Sequence, residues 1–445
     1  MVFNIPKYVE IIIDRLEEKG FNAYIVGGSV RDILIGREPS DFDVTTDALP
    51  EEIEEVFSDC KTLETGKQFG TVVVVHDEGV VEVTTFRADG EYIDGRRPEN
   101  VYFSKNILDD LSRRDFTINA MAYNKKIGVI DYFNGKEDLE KKIIRAVGNP
   151  HERMKEDYLR IMRAIRFAAQ LEFSIDDSTF EACKLYSEHI GTISIERIRE
   201  EFFKILLSKT PSYGIRLMKD TGVLQVVLPE MMDAVEFNQH NPHHDKDVFE
   251  HIMCVIDNTE PILELRIAAL LHDIGKPHTL TIDEKGIGHF YGHDKVGAKM
   301  SKEILKRLKA PNELIDTVRL LIDRHMTQHS KMKDKGLKKL LRLLGEDRIF
   351  TLLQLNIADR TCSNKEADIS DLLERKEKIR HIIENKEAYD KNQLAINGED
   401  VIELGYKQGK LIGEILDYLL EKVLEKPELN EREKLIKIIK DNFEL

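Results

Sequence analysis

Residues 26–46 read V-G-G-S-V-R-D-I-L-I-G-R-E-P-S-D-F-D-V-T-T, joining a Gly27-Gly28 turn to two carboxylates, Asp41 and Asp43, set one residue apart. On an extended strand, residues i and i+2 share one face of the pleat. Asp41 and Asp43 then point into one small volume while Phe42 and Val44 point toward a core. Two like charges held so close repel unless a cation lies between them. Magnesium uses one or two such hard oxygen ligands when substrate phosphates complete its shell. Gly27 and Gly28 allow backbone to approach a ligand without Cβ interference. Arg31, in the first turn of a helix expected to run through Val30–Ile35, is placed to receive a phosphate. The stretch describes a metal-dependent phosphate site.

The rest of the chain sets that site in context. A length of 445 residues exceeds one ordinary core, so two to four domains are expected. No apolar run approaches membrane-spanning length, and the start M-V-F-N-I-P-K lacks a signal-peptide core. Cys60, Cys183, Cys254 and Cys362 are scattered without a C-x-x-C pair, so neither a disulfide framework nor a zinc ribbon is expected, and a cytoplasmic location fits. A net charge of −16 argues against indiscriminate nucleic-acid binding, though a local basic groove can coexist with an acidic remainder.

Residues 1–150 alternate helix and strand signals. Ile11–Lys19 is amphipathic, Tyr24–Val26 is a short strand, and Thr71–His76 and Val80–Phe86 flank Asp77-Glu78-Gly79 as a hairpin. From about residue 151 strand signals nearly vanish, and helices follow one another, punctuated by prolines such as Pro211, Pro229, Pro277, Pro311 and Pro427. The expected fold class is α+β: a small mixed-sheet head followed by a long all-α body.

Gly-Gly-x-Val-Arg-Asp, a Leu-x-Gly-Arg turn and Asp-x-Asp-x-x-Thr, in this order, resemble the nucleotidyltransferases of the polymerase β superfamily. The closer resemblance is to the class II tRNA nucleotidyltransferase and bacterial poly(A) polymerase family. It implies Mg²⁺ at Asp41 and Asp43, CTP and ATP as substrates and the tRNA 3′ end as partner. It also implies nucleotide contacts from Gly27, Gly28 and Arg31, and from the run R-R-D-F-T-I-N-A at residues 113–120, where Arg114, Asp115 and Asn119 would meet ribose or phosphate. Read alone, that run fits surface charges and a helix cap equally well. Glu82, in V-E-V-T-T-F-R, is a third catalytic or metal-binding carboxylate if it faces inward, and a surface group if it does not. The Gly- and charge-rich stretch A-D-G-E-Y-I-D-G-R-R-P-E-N-V, entered at Arg87, reads alone as a surface loop and by resemblance as the element used in adenosine addition.

The run Glu156-Asp157-Tyr158-Leu159-Arg160 is expected to open a helix reaching Leu171, with Tyr158, Ile161, Met162, Ile165 and Ala169 as its apolar stripe. Asp157 and Arg160 would project together, either as an ordinary ion pair or as a mimic of a base edge. In the second case Asp157 accepts from the exocyclic amine of C or A and Arg160 donates to ring acceptors. U and G would leave Asp157 facing a carbonyl, at roughly 1–3 kcal/mol. The family uses its E-D-x-x-R helix in this way, with Arg163 and Arg166 adding positive charge.

In the helical half, His251, His272-Asp273, His293, His325 and Asp359 form the order H…HD…H…H…D, which resembles the HD phosphohydrolase superfamily. Imidazoles with carboxylates suit a divalent transition metal. The resemblance implies hydrolysis of phosphomonoesters or cyclic phosphates, with His243, His244 and Lys276 as candidate phosphate contacts. The stretch from Leu394 resembles the family's RNA-binding tail. The expected division is a catalytic head at 1–150, a nucleotide-selecting helical neck at 151–235, an HD domain at 236–365 and an RNA-binding tail at 366–445. Three readings stand open: CCA addition, A-only or poly(A) addition on the same fold, and an HD nucleotide hydrolase whose head only binds.

Overall fold

The computed structural model describes residues 3–63, 66–89, 101–240, 246–363 and 367–444. The chain forms two compact units, Met1–Pro229 and Glu230–Leu445.

The first unit is built on one sheet. Helix α1 (Lys7–Glu18) turns Val9, Ile12, Ile13 and Leu16 inward at three- and four-residue spacing. It leads to β1 (Ala23–Val26), buried along its whole length. Helix α2 (Gly28–Leu34) follows at once, and β2 (Asp43–Thr46) runs antiparallel to β1 with Val26 beside Asp43. Helix α3 (Pro50–Val56) begins on a proline, whose missing N–H costs nothing in a first turn. Then come β3 (Lys61–Leu63), β4 (Thr71–His76) and β5 (Gly79–Thr85).

Strands β4 and β5 form the expected hairpin, with His76 opposite Gly79 across the two-residue turn Asp77-Glu78. Val72, Val74, Val81 and Val83 are buried on their inner face. Strands β6 (Arg87–Asp89) and β7 (Val101–Phe103) pair with each other; residues 90–100 of the charged stretch lie outside the described residues. After α4 (Ile107–Ser112), β8 (Met121–Asn124) and β9 (Gly128–Asp131) complete the sheet. Its order is β3-β4-β5-β2-β1-β8-β9. The β2–β5 pair is parallel, so the sheet is mixed as expected.

Helices α5 (Gly135–Lys141), α6 (Pro150–Glu156) and α7 (Leu159–Leu171) continue the unit, then α8 (Asp177–Tyr186), α9 (Ile195–Leu206), α10 (Pro211–Asp220) and α11 (Val223–Val227). The helix expected to open at Glu156 is instead two. Asp157 is extended, and its Oδ1 accepts the Leu159 N–H at 3.0 Å, so the carboxylate that was to stand on the helix caps its start.

The second unit is helical: α12 (Val248–Asp257), α13 (Leu263–Leu271), α14 (His293–Arg307), α15 (Asn312–Arg324), α16 (Asp334–Leu344), α17 (Glu346–Ser363) and α18 (Ser370–Glu384). The tail adds α19 (Gly398–Glu403), α20 (Lys410–Glu425) and α21 (Arg432–Asn442), which share a core of Val401, Ile415, Leu419, Val423, Leu435 and Ile439. Contrary to the expectation of no disulfide, Cys254 on α12 and Cys362 on α17 are bonded, with Cα atoms 5.8 Å apart. The two helices pack side by side, while a sequence separation of 108 between the cysteines hides any local spacing signal. Among the described residues no helix is long and apolar enough to cross a membrane.

Candidate functional site

Regular strand begins at Asp43, and Asp41 lies just before it rather than on it. The alternation still holds: Asp41 and Asp43 are exposed, Phe42 and Val44 buried. Glu82 on β5 is the register partner of Asp43. Registered neighbours on adjacent strands project to the same face, so the sheet sets Glu82 beside Asp43. Although Asp43 keeps an exposed face, desolvation of its carboxyl, then the charges of Asp41 and Glu82, push it up to about 6, against the opposing guanidinium of Arg114. Three carboxylates in mutual repulsion are a donor set that suits a hard divalent cation.

Asp43 lines a cleft of about 470 Å³. Every residue expected to bind nucleotide lines it as well: Gly27, Gly28 and Arg31 from the β1–α2 turn, Arg114, Asp115 and Asn119 from the second motif, and Asp157, Arg160 and Arg163 from α7 and its cap. Asp41 and Glu82 are not among the residues that line the cleft; each stands near enough to Asp43 for its charge to act on that carboxyl. Arginine dominates the lining, with Arg113, Arg166 and Arg197 added to the four already named, which fits a polyanionic ligand.

Side chains within the cleft hold one another. Arg31 Nη1 donates to Asn119 Oδ1 at 2.8 Å, and Asn119 Nδ2 donates to Asp115 Oδ1 at 3.1 Å. Arg163 Nε donates to Asp115 Oδ2 at 2.8 Å. Burial alone would raise the Asp115 carboxyl; Arg163 and Asn119 outweigh it and hold it at about 2. Asp115 is therefore a fixed anion positioning Arg163 and Asn119, and its oxygens already have partners. Asp110, fully buried, anchors both Arg113 and Arg114 at 2.7 and 3.2 Å. Gly27 sits at φ +75°, and a Cβ there would meet Arg114 Nη1 at 2.8 Å. The Gly-Gly turn thus makes room for an arginine as well as for a ligand.

Asp157 and Arg160 both face the cleft but do not pair with each other. Asp157 Oδ2 accepts from Arg197 Nη2 of α9 at 2.7 Å. Arg160 bonds to Glu156 and donates to the carbonyls of Arg153 at 2.9 Å and Arg113 at 3.0 Å. The break at Asp157 removes the helical i, i+3 geometry that a single helix would have imposed. Arg197 escaped the sequence reading because forty residues separate it from Asp157 and no motif joins them.

A second cluster lies within the second unit. His251 comes from α12, His272 and Asp273 from the end of α13, His293 from the start of α14, His325 from the end of α15 and Asp359 from α17. All six are buried. Five of them fall into two metal-sized groups that share Asp273: His251 and His272 on one side, His293 and His325 on the other. Asp273 Oδ2 lies 3.4 Å from His251 Nε2 and 3.3 Å from His272 Nε2, and Oδ1 lies 3.3 Å from His293 Nε2. Asp359 Oδ1 closes on His251 Nε2 at 3.1 Å. The Nδ1 atoms of His272, His293 and His325 face the carbonyls of Ala269, Phe290 and Ile322 at 2.7–2.8 Å, which leaves each Nε2 to act as the ligand atom. Lys276 Nζ stands 2.7 Å from Asp273. His243 and His244 lie outside the described residues.

The chain matches the Poly A polymerase head domain over residues 23–145, and over residues 172–235 a region described as "Probable RNA and SrmB- binding site of polymerase A". A third match, to a second domain of tRNA nucleotidyltransferases, spans residues 290–439. It is 34% identical to the CCA-adding enzyme of Ligilactobacillus salivarius over 100% of this chain and 99% of that protein. It is 33% identical to that of Staphylococcus haemolyticus over 98% and 97%. Among solved structures it resembles the Bacillus stearothermophilus CCA-adding enzyme in complex with CTP, with a TM-score of 0.75, 29% identity and 98% of each chain covered. The carboxylate site on a mixed sheet, the arginine cleft and this full-length similarity place the chain in the CCA-adding enzyme family, as a nucleotidyltransferase with a poly(A) polymerase-type head.

Proposed function

We propose that this chain adds CCA to the 3′ end of tRNA, taking CTP and ATP in turn without a nucleic-acid template. One observation carries the reading: Asp43, with Glu82 beside it, shares a single arginine-lined cleft with Asp157 and Arg160. Asp41 and Asp43, with Glu82 in support, would hold Mg²⁺. When bound, that ion supplies charge neutralisation at the reacting phosphate. The protein's own part is positioning. Arg31, Arg114 and Arg163 receive the triphosphate; the Asp115–Asn119 pair keeps Arg163 and Arg31 in place, and Asp110 holds Arg114. Asp157 keeps an unshared acceptor lone pair on each oxygen beyond the Leu159 and Arg197 bonds, suited to the amine of C or A.

The test offers tRNA ending before the CCA, after C and after CC, with CTP and ATP separately and together. CTP incorporation onto the shortest tRNA supports full CCA addition. ATP incorporation on the CC end alone would replace it with A-only addition.

For the second unit, the six buried ligands on five helices support an HD phosphohydrolase centre for a divalent transition metal, acting on phosphomonoesters or cyclic phosphates. Metal analysis and a phosphodiesterase assay on the His272→Ala, Asp273→Ala double variant test it. Activity equal to that of the parent protein would refute the site. The division at residues 150, 235 and 365 belongs to the same proposal.

A further inference from the structure

We propose that Cys254 and Cys362 form a thiol-controlled clamp on the buried histidine–aspartate centre. The clamp rests on the reading of that centre as a metal site. Each cysteine stands one helical turn beyond a ligand: Cys254 three residues after His251 on α12, Cys362 three residues after Asp359 on α17. Residues three apart on a helix lie on neighbouring parts of one face. The bond therefore spans the same two helices that bring His251 Nε2 to 3.1 Å from Asp359 Oδ1. The chain between the two sulfurs also contains His272, Asp273, His293, His325 and Asp359, so the covalent loop encloses five of the six ligands.

The bond is open to exchange from one side. Cys254 is half-buried, whereas Cys362 is only 1% exposed. An external thiolate attacks Cys254 Sγ, the Cys254–Cys362 bond breaks, and Cys362 leaves as a thiolate and takes up a proton. A second external thiol attacks the mixed disulfide, frees Cys254 and departs as the oxidised external disulfide. Two electrons pass from the external thiols to the protein, and re-oxidation by a disulfide of the same class reverses each step. Asn258 Nδ2, 3.7 Å from Cys254 Sγ and 3.5 Å from Cys362 Sγ, gives both sulfurs of the bridge a polar neighbour.

The two halves of the centre differ in what holds them. His251 and Asp359 sit on the bridged helices, while His293 and His325 sit on α14 and α15, which carry neither cysteine. Opening the bridge removes the covalent tie from the first half only. In a reducing compartment the centre would then hold one ion more loosely than the other.

The experiment is a Mn²⁺ titration of the full chain carrying Asp43→Asn, which disables the head's own carboxylate site, in three forms: air-oxidised, reduced with an excess of a small dithiol, and with Cys254→Ser, Cys362→Ser added. Thiol alkylation of the denatured chain and mass determination verify the bridge in the first form, and far-UV circular dichroism with a thermal melt reports that each form is folded. We expect one Mn²⁺ to bind about tenfold more weakly in the reduced protein and the variant, the scale at which loss of a ligand's support acts. Equal affinity in all three forms, or four alkylatable thiols in the oxidised protein where the free Cys60 and Cys183 account for only two, would overturn the clamp and leave the metal centre standing. Absence of Mn²⁺ binding in every form would overturn both. Should the double variant fail to fold, the oxidised and reduced forms of the parent chain decide the matter alone.

Discussion

Asp157 is held by Arg197, from a helix that begins almost forty residues later, while Arg160 turns back to Glu156. The two groups proposed to read the base are therefore fixed by separate partners. A charge-assisted bond of this kind is worth about 1.5–3 kcal/mol, enough to hold a carboxylate in one rotamer against an incoming base.

Arg197→Met keeps the length of the side chain and removes its charge. With Asp157 no longer oriented, preference for CTP over UTP, measured as the ratio of kcat/KM values, is expected to fall about tenfold or more. An unchanged ratio would remove Arg197 from the selection machinery.

Asp43→Asn is expected to abolish nucleotide incorporation while leaving thermal stability equal or raised, because it relieves repulsion among Asp41, Asp43 and Glu82. In the parent protein the Asp43 carboxyl, at about 6 without a cation, must lose its proton for Mg²⁺ to bind. Calorimetry of Mg²⁺ binding in buffers of different ionisation enthalpy should show proton release below pH 6 that fades above it. A proton count independent of pH across that range would contradict the assignment.

The Asp115–Arg163 pair makes an acid-labile contribution to folding. Its carboxyl lies at about 2 in the folded protein against an ordinary 3.8. A depressed carboxyl stabilises the folded state fully above the ordinary value and loses that contribution as pH falls through the folded one. The window is thus pH 4 to 2, and its size is about 2 kcal/mol. Denaturant unfolding of the parent and Asp115→Asn proteins should show a gap that closes across this window; a constant gap would assign the effect elsewhere.

Gly27→Ala carries two penalties. Its φ of +75° with ψ of −129° lies in a region that side chains avoid, at about 1–3 kcal/mol, and the new Cβ displaces Arg114. The expected outcome is a raised KM for both nucleotides together with a lowered melting temperature. A stability loss with KM unchanged would separate the turn from nucleotide binding.

What the sequence revealed and what it hid follow from range. The β4–β5 hairpin and the alternation at Asp41–Val44 are written in neighbouring residues, so both were legible. The helix break at Asp157 was legible in principle: aspartate two residues before the buried Leu159 is a capping pattern, but the E-D-x-x-R spacing masked it. Arg197 and the Cys254–Cys362 bridge depend on which helices pack together, and no local spacing encodes that.

The parallel pairing of β2 with β5 has a consequence for exchange of parts between relatives. Strand faces alternate with every residue, so a shift of β5 by one position would turn Glu82 into the core and eject Val81 and Val83 into the cleft. Parity is thus inherited along with chemistry. An odd insertion within the paired strands would disarm the carboxylate cluster and unpack the sheet at one stroke.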